Sequence, residues 1–171
     1  MYVISDKMTF ERLYGLYAED VYRFSFWLTG NSDDAKDITS ETFVRVWTAG
    51  TETRFESVKA YLFTIAKNLW LREQGKRKRL SRIDEEPHDG GRNTEEHFQQ
   101  RYDLELALKA LQMLPEVDRV VLIMRAQDEL SYEDIAAATG LTVSSVKVKL
   151  FRARKKMQSF IKTEQGERQC K

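Results

Sequence analysis

The sequence is poor in the residues that cross-link a chain, bind metal ions or interrupt helices. It has one cysteine, Cys170, and two histidines, so it cannot form an internal disulfide and shows no Cys/His cluster typical of a metal site. With two prolines and eight glycines in 171 residues, the chain has few helix-breaking or turn-forming positions, which favours long helices over many short strands. These shortages predict an all-α protein of the cytoplasm that binds no metal or other cofactor.

Long hydrophobic runs are also lacking. The longest purely apolar stretch covers residues 120–124, whereas a membrane-spanning helix needs roughly 20 apolar residues. The N-terminus has no continuous apolar stretch of the kind found in a signal peptide. We therefore expect no stable membrane insertion. With 42% hydrophobic and 32% charged residues, the composition instead fits a folded globular protein.

The sequence carries no motif of an enzyme active site. It contains no glycine-rich phosphate loop and no nucleophile motif. His88 and His97 lie in or beside a polar segment, where a solvated surface role is far more common than catalysis. The carboxylates are spread over predicted helix faces and this same segment. We therefore expect that the chain is not an enzyme.

The net charge of +1 hides a separation of basic and acidic segments. A predicted helix that begins near Ser57 ends in a basic run at residues 72–79. Residues 84–91 are then acidic, contain turn-forming residues and have almost no apolar side chains. We interpret residues 84–98 as a flexible acidic linker that joins two small helical domains, residues 1–83 and residues 99–171.

The strongest local signal is a helix-turn-helix pattern near the C-terminus. Ser131 begins a capping box ahead of an apolar stretch, and Gly140 can adopt the left-handed conformation that ends a helix and turns the chain. Thr142 is placed to cap the next helix. The spacing of Ala136, Gly140 and Val146 is typical of this motif, so we expect a helix-turn-helix in the C-terminal domain.

The second helix of this pattern has one apolar stripe and one outward side. The predicted buried stripe consists of Val146, Leu150, Ala153 and Met157. In a helix-turn-helix, outward residues near the start of the second helix meet base edges, and the surrounding positive charges hold phosphates. The candidate DNA contacts are Ser144, Ser145, Lys147, Val148, Lys149, Arg152, Arg154 and Lys155. The charge run alone would favour a solvated basic helix end, but the capping and spacing signals together favour DNA binding.

Three segments, in the expected order, resemble extracytoplasmic-function (ECF) sigma factors. Residues 34–47 (DAKDITSETFVRVW) look like the polymerase-binding helix of that family. Residues 61–69 (YLFTIAKNL), with the basic run behind them, are similar to its promoter-melting segment. Residues 114–156 resemble its promoter-reading domain. The resemblance covers about residues 8–161, which is nearly the whole chain.

This resemblance implies a sigma factor that binds core RNA polymerase and directs promoter-specific transcription initiation. The acidic helix would dock on the β′ clamp helices through Asp37, Glu41 and Arg45. The C-terminal domain would read the −35 element of double-stranded promoter DNA. Aromatic, amide and basic groups would hold the −10 element and the melted non-template strand. The candidates are Arg54, Phe55, Lys67, Asn68, Arg72 and Lys76. The family also implies control by an anti-sigma factor, often anchored at the membrane.

Two other functions remain open on sequence grounds. A freestanding helix-turn-helix regulator would bind its operator alone, whereas a sigma factor would bind promoters poorly without core polymerase. A helical scaffold that binds no nucleic acid would show no DNA-linked salt dependence. Tyr61, Phe63 and Trp70 could stack on bases, although their helical spacing favours the core. The acidic linker could enter the polymerase cleft or serve as a plain tether.

Overall fold

The computed structural model describes residues 10–49, 57–80, 95–126 and 130–169, and within these ranges it contains helices and no strand. This confirms the all-α prediction. In chain order the helices are α1 (Phe10–Thr29), α2 (Ser32–Ala49), α3 (Val58–Leu80), α4 (Glu95–Gln112), α5 (Glu116–Ala126), α6 (Tyr132–Thr139) and α7 (Val143–Gln169).

Helices α1, α2 and α3 pack on one another and form the N-terminal half of the described chain. Gly30 ends α1 with a φ of +69°, a conformation that glycine adopts without steric cost. Asn31 then caps α2, because its Oδ1 accepts from the backbone N–H groups of Asp33 at 2.8 Å and Asp34 at 3.0 Å. Phe24 of α1 stacks on a phenylalanine of α3 in the interior. A sharp, capped turn therefore sets α2 against α1.

Two helices of the C-terminal half differ in extent from the prediction. Helix α4 begins at Glu95, inside the segment predicted to be linker, and residues 84–94 lie outside the described ranges. Helix α7 continues to Gln169, beyond residue 161, near which the resemblance to the family ends. Residues 162–169 include two glutamates, two glutamines, one lysine and one arginine, which are good helix formers. The proposed division into two domains stays a prediction.

The two halves share one continuous hydrophobic cluster. Buried side chains of α1 and α3, such as Leu28 and Trp70, belong to the same cluster as Val121 of α5 and Ile135 of α6. The contacts between the halves run mainly from α3 to α6 and from α1 to α5. The arrangement therefore packs α3 directly against α6.

A buried arginine bridges the halves. Arg119 of α5 donates from Nη1 to the backbone oxygen of Leu28 at 3.3 Å and to Gln112 Oε1 at 2.7 Å. Its Nη2 donates to the backbone oxygens of Gln112 at 3.1 Å and Leu114 at 3.3 Å. The guanidinium also lies 5.4 Å from the ring centroid of Trp70. Burial lowers the pKa of Arg119, whereas the nearby carboxylate of Glu116 acts in the opposite direction.

Among the described residues, no helix combines the length and the apolar character that crossing a bilayer requires.

Candidate nucleic-acid interface

The helix-turn-helix predicted from the sequence is present as helices α6 and α7. Ser131 Oγ accepts from the backbone N–H of Asp134 at 3.0 Å and caps the start of α6. Gly140 has a φ of +70°, and its backbone N–H donates to the backbone oxygen of Ala136 at the end of α6. Thr142 Oγ1 accepts from the backbone N–H of Ser145 at 3.2 Å and caps α7. Both predicted caps and the predicted turn are confirmed.

Helix α7 packs on its neighbours as the sequence indicated. Val146, Leu150 and Ala153 are buried, and Met157 packs against the core from its edge. The residues that surround this stripe on the outward side are exposed or half-exposed: Ser144, Ser145, Lys147, Val148, Phe151, Arg152 and Lys155. Arg154 is exposed as well and lines an apolar groove with Trp27. We call the solvent-facing surface that these residues form, with Arg154 at its edge, the α7 face.

Lys147 on this face lies over an aromatic ring of the preceding helix. Its Nζ is 5.4 Å from the ring centroid of Tyr132, and the guanidinium of Arg125 is 5.0 Å from the same ring. Arg125 also donates to the backbone oxygen of Leu130 at 2.9 Å. A cation over a tyrosine face is attracted by the ring quadrupole, so Tyr132 restrains a long side chain without neutralising its charge.

Lys149 is placed differently from the other candidate contacts. Its Nζ donates to Asp118 Oδ1 of α5 at 2.9 Å, and the pair is largely shielded from solvent. Asp118 lies in the first turn of α5, where the helix dipole favours an anion. Lys149 therefore lies at the border of the α7 face, where its Nζ pairs with α5, unlike those of Lys147 and Lys155.

The predicted −10 contacts that the structure describes lie along α3. Asn68, Arg72 and Lys76 are exposed, and Lys76 donates to Glu73 at 2.9 Å. Lys67 is half-buried, and its Nζ donates to the backbone oxygen of Ala138 in α6 at 2.7 Å. Burial lowers the pKa of Lys67 from its ordinary value. One of the four is thus engaged by the helix-turn-helix, and three face solvent.

Two further −10 candidates, Arg54 and Phe55, lie outside the described residues. Of the aromatic residues left open by the sequence, Phe63 and Trp70 are fully buried and Tyr61 is partly buried against the core. Phe63 stacks on Phe24 with ring centroids 4.3 Å apart. The interpretation of these aromatic residues as core residues is therefore confirmed for Phe63 and Trp70.

The predicted polymerase-docking residues lie on the outer side of α2. Asp37 is exposed, and Arg45 Nε donates to Glu41 Oε1 at 3.0 Å across one helical turn. Asp37 and Glu41 line a groove of about 480 Å³ between α2 and α3, whose far wall includes Arg72 and Arg77. Arg77 closes one side of this groove by pairing with Asp34 at 2.6 Å. A surface that carries both charge signs is therefore open beside α2.

Three residues of the interface were not assigned a role from the sequence. The ring of Tyr132 lies beneath Lys147, and Asp118 pairs with Lys149. Phe151 projects from the α7 face with 69% of its surface exposed. Phe151 could have been found, because a phenylalanine beside the predicted outward positions of a helix is unusual on a solvated surface. The partners of Asp118 and Tyr132 depend on how α5 and α6 cross α7, so spacing gave no signal for them.

Comparison with protein families agrees with this arrangement. Residues 13–80 match the model of Sigma-70 region 2, and residues 104–157 match that of Sigma-70, region 4. The first match runs from within α1 to the end of α3, and the second runs from the middle of α4 to the middle of α7. Together they cover more than two thirds of the chain.

Individual proteins give the same result. The ferric citrate uptake sigma factor FecI of Escherichia coli is 31% identical over 147 residues, which are 82% of this chain and 83% of FecI. The ECF RNA polymerase sigma factor SigE of Mycolicibacterium smegmatis is 29% identical over 160 residues, which are 90% of this chain but only 62% of SigE. The chain thus spans less than two thirds of that longer relative.

A solved structure shares the fold. The sigma factor RpoE in its complex with the anti-sigma factor NepR from Bartonella quintana is 26% identical and superimposes with a TM-score of 0.74. The superposition covers 91% of this chain and 98% of that one. From the two sigma-70 regions in order, the helix-turn-helix and these relatives, we conclude that the chain belongs to the ECF RNA polymerase sigma factors.

Proposed function

We propose that this chain binds core RNA polymerase and directs it to initiate transcription at a specific set of promoters. The proposal rests above all on the α7 face, which presents hydroxyl, aliphatic and basic side chains from a capped helix behind a left-handed turn. Such a helix enters the major groove with its N-terminal turns toward the base edges. The −35 element is the corresponding promoter sequence in this family.

Within the α7 face we assign different tasks to different side chains. Ser144, Ser145 and Lys147 are hydrogen-bonding groups near the helix start, where they meet base edges. Val148 presents an aliphatic surface suited to a thymine methyl group. Further along the helix, the basic side chains neutralise backbone phosphates. They are Arg152, Arg154 and Lys155.

The N-terminal half carries the other two tasks in this proposal. Asp37, Glu41 and Arg45 dock on the clamp helices of the polymerase β′ subunit, supported by their position on an open surface of α2. The −10 element and the melted non-template strand lie along α3. The residues assigned there are Lys67, Asn68, Arg72 and Lys76, together with Arg54 and Phe55. All chemistry of RNA synthesis then belongs to the polymerase, and the chain itself is not an enzyme.

An anti-sigma factor is the regulatory partner in this proposal. Support comes from the similar RpoE of Bartonella quintana, whose structure is a complex with the anti-sigma factor NepR. We place this chain in the cytoplasm, where a membrane-anchored inhibitor could also hold it. Co-purification from the native host under inducing and non-inducing conditions tests this assignment. Absence of a bound inhibitor in every condition would contradict it.

Run-off transcription with purified core polymerase tests the main proposal. Fragments of the host chromosome should give discrete transcripts only when both core enzyme and this chain are present. The variant Lys147→Ala should weaken −35 recognition by roughly 1–3 kcal/mol, which is the usual worth of a specific base contact. Lys162→Ala, which removes an exposed lysine nearer the end of α7, is the matched control and should leave the transcripts unchanged.

Run-off transcription and the salt dependence of DNA binding together separate the alternatives. A freestanding regulator would bind its operator without core enzyme and would give no promoter-specific transcript. A helical scaffold would bind no DNA, whereas a chain that neutralises about five phosphates should show a slope of log affinity against log salt of about −4 to −5. Failure to initiate at any host promoter would reject the sigma-factor assignment.

A further inference from the structure

Lys149 and Asp118 form an ion pair between the candidate recognition helix and α5. The Lys149 Nζ lies 2.9 Å from Asp118 Oδ1, and the side chains retain 31% and 13% of their exposure. The two residues are 31 positions apart in sequence, so the pair joins separate helices rather than successive turns of one helix. It is therefore a tertiary contact of α7 with its support.

Lys149 lies at the border between the α7 face and the buried stripe. Residues three or four positions apart on an α-helix share one side, so Lys149 has Arg152 beside it on the α7 face and Ala153 beside it in the stripe. Its Nζ turns toward Asp118 on α5. To reach a phosphate beside the α7 face, Lys149 would have to leave Asp118, and a largely buried carboxylate would lose its partner. Breaking one side of a shielded pair is costly, because the remaining charge stays desolvated.

Most of the remaining contact between α7 and its support is an apolar stripe, which the cation–π contact of Lys147 with Tyr132 accompanies. Val146, Leu150 and Ala153 are small or branched side chains that pack without directional bonds. Such a stripe holds a helix on its support, but it resists a small roll of the helix about its axis only weakly. A charged hydrogen bond at the border of the stripe has a defined direction and length. It can therefore fix the rotation of α7, and with it the direction of Lys147, Val148 and Arg152.

We propose that Lys149 is a positioning residue, which with Asp118 sets the rotation of α7 and does not itself contact phosphate. This inference rests on the proposed function, because the rotation matters only if the α7 face reads DNA. It replaces the sequence-based assignment of Lys149 as a DNA contact. Asp118 becomes a determinant of promoter recognition, although it carries the same charge sign as DNA.

The two roles of Lys149 predict opposite effects of one substitution. If Lys149 positions the helix, Asp118→Asn weakens promoter binding, because the ion pair is lost and only a weaker hydrogen bond to the neutral amide oxygen can replace it. If Lys149 contacts phosphate, Asp118→Asn strengthens binding, because it frees the lysine and removes a competing anion. Glu133→Gln removes one negative charge from an exposed position on α6 and is the matched control for the general effect of charge.

The experiment measures holoenzyme binding to a duplex that carries a promoter mapped by run-off transcription, across a salt series. We expect Asp118→Asn and Lys149→Gln each to weaken binding about three- to tenfold, and the double variant no further, as for a coupled pair. The salt slope should stay that of the wild type. Lys155→Gln, which removes an exposed lysine of the α7 face, should reduce the slope by about 0.9. Circular dichroism at the assay temperature confirms that each variant is folded.

Two results would overturn the positioning role. The first is stronger binding by Asp118→Asn beyond the effect of Glu133→Gln, together with a reduced salt slope for Lys149→Gln. The second is wild-type binding by both single variants, which would make the pair irrelevant to recognition. Lack of any promoter-specific complex with the wild-type chain would instead reject the proposed function itself, and the positioning role with it.

Discussion

The two candidate DNA-binding surfaces of this molecule are in different states. The α7 face of the C-terminal half presents Lys147, Arg152 and Lys155 to solvent. On α3 of the N-terminal half, Lys67 donates to the backbone of α6, in the helix-turn-helix itself. The surface assigned to the −35 element is thus ready for contact, whereas part of the surface assigned to the −10 element is covered by the other half. Use of Lys67 on DNA requires its Nζ to leave the backbone oxygen of Ala138.

The halves are joined by two kinds of contact. One is the apolar cluster that they share. In the second kind, cations of one half bind oxygens of the other: Arg119 binds Leu28, Lys67 binds Ala138, and Lys78 binds Glu116 at 2.6 Å. Polar contacts lose less than apolar ones when water replaces the partner. Opening the joint would therefore cost mainly the exposure of the shared apolar cluster rather than the loss of these polar contacts.

The largest effect should be a loss of core-polymerase binding on substitution of the open outer surface of α2. The double variant Asp37→Arg with Glu41→Arg should weaken binding to core polymerase roughly a hundredfold, since like charges placed against a partner cost several kcal/mol. Helicity should be unchanged, because both side chains lie outside the core. Co-elution with purified core enzyme measures the affinity.

The control for this pair is Glu19→Arg on α1, where the glutamate side chain is 83% exposed. It changes charge by the same amount per residue and should retain core binding. Wild-type affinity of the double variant would remove α2 from the docking assignment. It would also remove the contrast between an open docking surface and a partly covered DNA surface.

The next effect in size comes from the joint. Arg119→Leu should lower the free energy of unfolding by about 2–3 kcal/mol, because buried carbonyl oxygens lose a charged donor. It should also make the two halves unfold in separate steps, which urea denaturation followed by two probes would detect. Arg125→Leu is the matched control, since Arg125 lies on the same helix and donates within the C-terminal half. A single cooperative transition in Arg119→Leu would show that the apolar cluster alone couples the halves.

Local signals predicted the helix-turn-helix well and its tertiary partners poorly. Ser131, Gly140 and Thr142 act through their own neighbours in sequence, so capping and turn preferences were sufficient to place them. The stripe of α7 followed from helical periodicity for the same reason. Nothing in the sequence distinguishes Lys67 and Lys149 from an exposed lysine, yet both bind oxygens on distant helices. Their partners depend on the crossing of helices, which no spacing in the sequence encodes.

A smaller effect separates the turn from the helices that it joins. Gly140→Val should destabilise the chain by about 1–2 kcal/mol, because a side chain strains the left-handed conformation at φ +70°. The −35 contacts should weaken with it, because the turn sets the angle between α6 and α7. Gly75→Val, in the middle of α3 with open space beside its Cα, is the control and should not lower stability. Thermal unfolding compares the two, and an unchanged midpoint for Gly140→Val would contradict the role of the turn.

The smallest effect is a change of the free energy of unfolding with pH, which arises from Lys67. Burial holds the pKa of Lys67 below the value of 10.5 for a free lysine, so the folded chain releases its proton before the unfolded chain does. Between those two pKa values the unfolded state binds more protons, and stability therefore rises with pH. Lys67→Met keeps the apolar stem and should remove this rise, whereas Lys147→Met should keep it. Urea denaturation from neutral pH up to pH 10.5 measures both, and the same rise in Lys67→Met would show that Lys67 is not held in the joint between α3 and α6.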